Sequence, residues 1–140
     1  MIVHSENEKR KEMRNEQPVD QKEIWRILRA RKGKVKFSLA ACAHCGLCAE
    51  SCFLFVHRDG DPVYMPAHKF LNTIGTLYRK RGRVSRRELA AMEEIAWRRC
   101  VLCTRCYCPF GIDIPDMISL ARSVLRSQGI CPDFGGSESP

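Results

Sequence analysis

Apolar residues recur three or four positions apart along most of the chain. This period predicts amphipathic α-helices. The first predicted helix begins at Asp20, an N-capping residue, and ends at Gly33, while residues 32–38 are expected to form an extended lead-in to the next segment. No stretch alternates apolar and polar residues over the length of a strand. The predicted fold class is therefore all-α.

Three further helices are predicted from residue 66 onwards. One begins at Pro66, because proline suits the first helical turn, and ends at Gly82. The next begins at Ser85, which can form a capping box with Glu88. The last helix follows a turn at residues 111–115.

The two ends of the chain differ in composition from the part between them. Residues 1–18 are polar and mixed in charge, which predicts a flexible N-terminal arm, and residues 131–140 are rich in Gly, Ser and Pro, which predicts a frayed tail. Residues 19–130 are expected to form one domain. The chain shows neither the apolar region of a signal peptide nor a membrane-spanning apolar run, so the predicted location is the cytoplasm, with a peripheral position on the inner face of the membrane also compatible.

The chain contains nine cysteines, and eight of them lie in two short runs separated by 47 residues. The first run consists of Cys42, Cys45, Cys48 and Cys52. The second run consists of Cys100, Cys103, Cys106 and Cys108. The first has the C-x2-C-x2-C-x3-C spacing that holds an iron–sulfur cluster, and the second begins with the same spacing and ends in Cys-Pro. Disulfides are not expected, because the cytoplasm keeps thiols reduced.

Three cysteines at positions i, i+3 and i+6 can reach three corners of a [4Fe–4S] cube, and a fourth ligand must come from elsewhere. In two-cluster ferredoxins the last cysteine of each run binds the other cluster. By this rule, one predicted ligand set is Cys42, Cys45, Cys48 and Cys108. The other is Cys100, Cys103, Cys106 and Cys52. The prediction is two [4Fe–4S] clusters that form an internal electron relay.

The end of the second run departs from the usual pattern. One residue separates Cys106 from Cys108, where three are usual. Cys108 can still reach the first cluster if the two cysteines point to opposite sides of an extended backbone. Two alternatives stay open: a [3Fe–4S] centre with three thiolates, or Cys131 as the replacement ligand. Paired C-x2-C units can also bind structural zinc, although three regularly spaced cysteines in each run are more than a zinc site requires.

The chain carries a net charge of +8, and its basic residues are clustered. Residues 1–41 contain eleven Lys and Arg against six Asp and Glu, and residues 79–87 contain six basic side chains. Such a surface is compatible with an acidic protein partner, an anionic membrane surface or nucleic acid, and equally with a solvated face that binds nothing. With iron–sulfur clusters present, no direct contact with nucleic acid is expected; a zinc-dependent nucleic-acid-binding protein is the alternative.

The segments around the cysteines resemble the iron–sulfur domain of heterodisulfide-reductase-like proteins, such as the C subunit of heterodisulfide reductase. The resemblance covers about residues 20–130 and includes Phe53-Leu54-Phe55, Gly60-Asp61-Pro62, Met65-Pro66-Ala67-His68-Lys69 and the Cys-Pro-Phe-Gly-Ile sequence that ends the second run. It implies an α-helical ferredoxin fold with two cysteine-ligated cluster loops.

This resemblance also implies two [4Fe–4S] clusters and electron transfer between partner subunits of a redox complex: a catalytic cysteine-rich subunit and a membrane cytochrome or flavoprotein. Larger relatives continue into a Cys-Cys-Gly-type catalytic domain, and no such cysteine pair occurs in these 140 residues. The expected function is therefore that of an electron-transfer subunit with no catalytic residues of its own. The alternative is a thiol–disulfide reductase component with catalysis at a cluster.

Overall fold

The computed structural model describes residues 18–132, which form helices joined by short loops and contain no strand. Their α-helices are α1 (Gln21–Ala30), α2 (Lys32–Ala41), α3 (Phe53–His57), α4 (Pro66–Leu71), α5 (Ile74–Arg79), α6 (Arg86–Glu93) and α7 (Ile114–Ser127). Short 3₁₀ segments (Leu47–Ser51, Pro62–Tyr64) and a π-helical turn (Glu94–Arg98) complete them. The all-α prediction is confirmed. The predicted arm and tail lie outside the described residues, except for Pro18 and residues 131–132.

Helix α7 forms the centre of the fold. Half of its residues are buried: Ile114, Met117, Ile118, Leu120, Ala121, Val124 and Leu125. It packs against α1, α4, α5, α6 and the π-helical turn. Helix α7 begins at Ile114, two residues earlier than predicted. Pro115 is tolerated in its first turn, because an amide N–H at that position would have no partner within the helix. The helices around α7 therefore share one core, and the loops between them carry the cysteines.

Two of the predicted helix starts are confirmed by their capping hydrogen bonds. The Asp20 carboxylate accepts a hydrogen bond from the Glu23 backbone N–H at 3.1 Å. The Ser85 hydroxyl accepts one from the Glu88 backbone N–H, and the Glu88 carboxylate accepts one from the Ser85 N–H at 2.8 Å. Side-chain oxygens satisfy the N–H groups that a helix leaves unpaired at its first turn.

The prediction that residues 32–38 are extended is wrong, because these residues belong to α2. The helix breaks at Arg31, whose φ is −125°, and Gly33 lies in the first turn of the next helix. Val35 and Ser38 are buried one turn apart. Burial of this face outweighs the low helix propensity of the glycine and the β-branched residue, a tertiary effect that local sequence does not show.

The helix predicted from Pro66 to Gly82 begins and ends where expected but is interrupted in the middle. Asn72 and Thr73 leave the helical path between α4 and α5, and the Thr73 hydroxyl donates a hydrogen bond to the Lys69 carbonyl at 2.9 Å. Gly82 follows with φ of +79°, in the left-handed region that glycine adopts without strain.

A partly exposed ion-pair cluster joins the start of α7 to the α1–α2 corner. Asp116 accepts a hydrogen bond from Arg31, and its carboxylate lies 2.7 Å from Lys34 Nζ. Partial burial raises the pKa of Asp116, but the hydrogen bonds from Lys34 and Arg31 outweigh this effect and hold the pKa below its ordinary value. A lowered carboxyl pKa contributes stability that is complete above about pH 4 and is lost as the pH falls through the lowered value.

Asp116→Asn should therefore lower the free energy of unfolding by about 1 kcal/mol at neutral pH, since it removes a charge that both cations and the α7 N-terminus stabilise. For a domain of this size the melting temperature should fall by about 4 °C, equally at about pH 6 and pH 8. Glu94→Gln is the matched control, because its ion pair with Arg98 is exposed and should contribute little. Equal losses in both variants would contradict the assignment.

Candidate metal centres

The first cysteine run lies where α2 ends and the backbone turns sharply. Cys42 leaves the helix with φ of −68° and ψ of 111°. His44 and Gly46 have φ of 55° and 76°, so the loop between the cysteines contains two left-handed residues. Cys52, with φ of −93° and ψ of 111°, separates the 3₁₀ segment from α3. This backbone path allows Cys52 to point away from the other three cysteines.

The second run begins at the C-terminal end of the π-helical turn. Arg122 of α7 donates hydrogen bonds to the carbonyls of Ala96 at 2.9 Å and Cys100 at 2.8 Å, which fixes the start of the run against the central helix. Leu102 and Thr104 have φ of 53° and 63°, an uncommon conformation for residues with a Cβ. Both runs thus use left-handed residues to turn the chain between successive cysteines.

Four thiols line a first cavity. They belong to Cys42, Cys45, Cys48 and Cys108, three from the first run and one from the second. Further lining residues are mostly apolar: Ala67, Phe70, Ile112 and Ile114 from the core side, and Pro109 and Phe110. Cys48 is buried and Cys45 is exposed, so one side of this cavity faces the solvent.

The other four thiols line a second cavity. They belong to Cys52, Cys100, Cys103 and Cys106, one from the first run and three from the second. Its walls include Pro66, Ile114 and Ile118, together with Lys69. The structure thus brings the cysteines together in the two groups that the sequence predicted as ligand sets. Cys131 is exposed and lines neither cavity.

Ser51 connects the two runs at the point where the second departs from the usual spacing. Its hydroxyl donates a hydrogen bond to the Cys48 carbonyl at 2.9 Å and accepts one from the Tyr107 N–H at 3.0 Å. The Tyr107 side chain is exposed, and its neighbours Cys106 and Cys108 line different cavities. A single intervening residue is therefore enough to send the two thiols to opposite sides.

Helix α4 separates the two cavities. Pro66 and Lys69, one turn apart on this helix, line the second cavity, whereas Ala67 and Phe70 line the first. Ile114, at the start of α7, lines both and is 2% exposed. The cavities are therefore neighbours that share a thin wall, most of it apolar.

Burial makes two of these thiols hard to ionise in the absence of a metal. Burial raises the pKa of Cys48, and burial together with the nearby Cys100 and Cys52 thiols raises the pKa of Cys106 to about 12. A metal centre supplies the positive charge that stabilises thiolates, so binding and deprotonation are coupled. Four thiols around a largely apolar cavity form a donor set that fits a [4Fe–4S] cluster.

Sequence reasoning missed three residues that contact the cysteine runs: Ser51, Lys69 and Arg122. Ser51 and Arg122 act through contacts to residues 56 and 22 positions away in the chain, which no local pattern shows. Lys69 had a weak signal, because it lies next to Phe70 on the buried side of the predicted helix, where a charged residue is unusual.

Residues 18–132 contain no group of three or more His, Cys, Asp or Glu side chains placed to hold a single metal ion. In the same residues, none of the helices has the length and apolar character required to span a bilayer.

A family model described as a 4Fe-4S dicluster domain matches residues 38–112, which include both cysteine runs. Two curated relatives match 71% of the chain. An "Hdr-like menaquinol oxidoreductase iron-sulfur subunit" of Archaeoglobus profundus is 29% identical over 113 residues, and "subunit 2" of the same description from Archaeoglobus fulgidus is 30% identical over 114. The match covers 20% of each relative, so the chain spans about a fifth of their length. No solved structure gives a significant match.

The predicted resemblance to heterodisulfide-reductase-like iron–sulfur subunits is thereby confirmed. The cysteine content, the helical fold and the matched domain agree on cofactor type and role, because [4Fe–4S] clusters in such domains accept and donate single electrons. The chain belongs to the family of 4Fe-4S dicluster domains, and its role is iron–sulfur electron transfer.

Proposed function

We propose that this protein holds two [4Fe–4S] clusters and relays single electrons between them as a subunit of a heterodisulfide-reductase-like redox complex. The proposal depends on one observation: each of two neighbouring cavities is lined by four cysteines, three from one run and the fourth from the other. The first cluster would be held by Cys42, Cys45, Cys48 and Cys108. The second would be held by Cys52, Cys100, Cys103 and Cys106.

The clusters supply one-electron chemistry, and the chain holds, separates and shields them. Ile114 and α4 stand between the cavities, so an electron would cross only a thin wall within the protein. Apolar residues such as Phe70 and Ile118 are fully buried and limit access of water from the core side. Because solvent exposure and hydrogen bonds to sulfur tune a cluster's potential, these walls set the properties of the relay.

Electrons would enter or leave through the cysteine loops. Cys45 is exposed, and so are several large apolar side chains next to the cysteines: Leu47, Phe53, Val101, Tyr107 and Phe110. Exposed apolar groups around a redox centre are typical of a contact surface for a partner. The matched relatives are named as iron-sulfur subunits of menaquinol oxidoreductases, and the match covers only 20% of each of them. We infer that substrate chemistry resides in other subunits, and that the chain is peripheral to any membrane component.

Anaerobically prepared protein should contain about eight irons and eight sulfides per chain and should absorb broadly at about 400 nm, as expected for two cubane clusters. Reduction should produce EPR signals from both clusters, with magnetic coupling because the cavities are adjacent. About seven irons would indicate a [3Fe–4S] centre, and about four would indicate one cluster; either result would contradict the proposal. Colourless protein that contains zinc would contradict the electron-transfer role altogether.

A further inference from the structure

Lys69 is a buried cation in the wall of the second cavity. It is 2% exposed, and its Nζ donates a hydrogen bond to Cys52 Sγ at a distance of 3.6 Å. None of the ion pairs formed within residues 18–132 involves Lys69. A buried charge is costly unless an opposite charge compensates it, and the side-chain atom that Lys69 Nζ contacts is the Cys52 sulfur of this cavity.

The two cavities differ in the charge of the side chains that line them. On the other face of α4, Ala67 and Phe70 line the first cavity, whose walls contain neither lysine nor arginine. His44 lines the first cavity but is exposed, so water screens its side chain. One helix thus presents an apolar face to the first set of cysteines and a cation to the second.

We propose that Lys69 sets the direction of the relay by raising the reduction potential of the second cluster above that of the first. The inference rests on the proposed function, since it requires a cluster in each cavity. A [4Fe–4S] cluster with four thiolates is anionic and gains one more negative charge when an external electron donor reduces it. A cation buried beside a ligand sulfur stabilises the reduced form more than the oxidised form. Its N–H···S hydrogen bond acts in the same direction.

Lys69→Met removes the charge with little change in length, and Lys22→Met removes one from an exposed position on α1. Each change is made in two single-cluster backgrounds: Cys45→Ala, which retains the second cluster, and Cys103→Ala, which retains the first. EPR-monitored redox titration should show that Lys69→Met makes reduction of the second cluster at least tenfold less favourable, about 59 mV for one electron. The first cluster should not shift, and Lys22→Met should shift neither cluster.

The shift should persist at high salt, because a buried charge is screened much less than an exposed one. Lys69→Arg, which keeps the charge, should keep the potential close to that of the unchanged protein. An unchanged second-cluster potential in Lys69→Met, or equal shifts in both backgrounds, would overturn the proposal while leaving the two-cluster relay intact.

If Lys69→Met does not retain the second cluster, Lys69→Gln provides the neutral variant for the same titration. Loss of the second cluster in both neutral variants but not in Lys69→Arg would show a role in cluster assembly and overturn the potential-setting role. Absence of iron from the unchanged protein is a separate result, which would reject the proposed function itself.

Discussion

Iron analysis of paired variants is expected to show that Cys45 and Cys108, 63 positions apart in the chain, serve the same cluster. Both line the first cavity, although they belong to different runs. Cys45→Ala and Cys108→Ala should each reduce the iron content from about eight to about four per chain. Combining the two substitutions should remove no further iron, since the second one affects a cluster that the first has already removed.

Variants that take one cysteine from each cavity should behave in the opposite way. Cys45→Ala combined with Cys106→Ala should leave almost no iron, because Cys106 lines the second cavity. If each run instead held a cluster of its own, combining Cys45→Ala with Cys52→Ala would spare one cluster, and combining Cys45→Ala with Cys108→Ala would remove both. The iron contents of the double variants therefore distinguish the two ligand arrangements without any assignment of spectra.

Cys131→Ala is the matched control for these measurements. Cys131 is exposed and lines neither cavity, so its removal should leave about eight irons per chain. Loss of a cluster in this variant would mean that the C-terminal segment supplies a ligand in place of Cys108.

The cysteines line the two cavities in the groups expected from their spacing, which is local information, and their role as cluster ligands stays a prediction. The first three cysteines of each run lie within seven residues and line the same cavity. The fourth cysteine of each group comes from the other run, as the crossing rule of two-cluster ferredoxins predicts. The helix starts at Asp20 and Ser85 were predictable for the same reason, since a cap is formed within four residues.

The features that sequence reasoning missed depend on contacts between distant segments. Helix α2 forms because Val35 and Ser38 become buried, although Gly33 suggested that the helix had ended. Lys69 reaches the second cavity only because α4 lies between the two cavities, an arrangement that needs both cysteine runs and α7 in place. Local propensity is a weak guide where tertiary burial decides the outcome.

The proposed crossed arrangement would also make each cluster a tie between distant parts of the chain. A cluster held by Cys48 and Cys108 closes a loop of 60 residues, and one held by Cys52 and Cys100 closes a loop of 48. By the chain-entropy estimate for cross-links, each such loop is worth about 4 kcal/mol. This stabilisation would add to a core that is shared by short α-helices, three of which have only five or six residues.

Removal of both clusters should therefore lower the melting temperature strongly. A loss of about 4 kcal/mol corresponds to roughly 15 °C in a domain of this size, and the loss of both ties should exceed it. Circular dichroism melts before and after anaerobic chelation measure the change. The Cys45→Ala variant, which retains one tie, should melt between the two forms. A cluster-free protein that melts within a few degrees of the loaded one would show that the ligands do not connect the two runs.

The cluster-free protein should in addition lose stability as the pH rises. Burial together with neighbouring thiols raises the pKa of Cys106 to about 12, well above the ordinary thiol value of about 8.5. Between these values the unfolded chain releases a proton that the folded chain retains, so the stability contribution is complete below about pH 8.5 and declines above it. Cys106→Ala should weaken this decline relative to the unchanged cluster-free protein. In the loaded protein the thiolates are already metal-bound, and the pH dependence from this group should disappear.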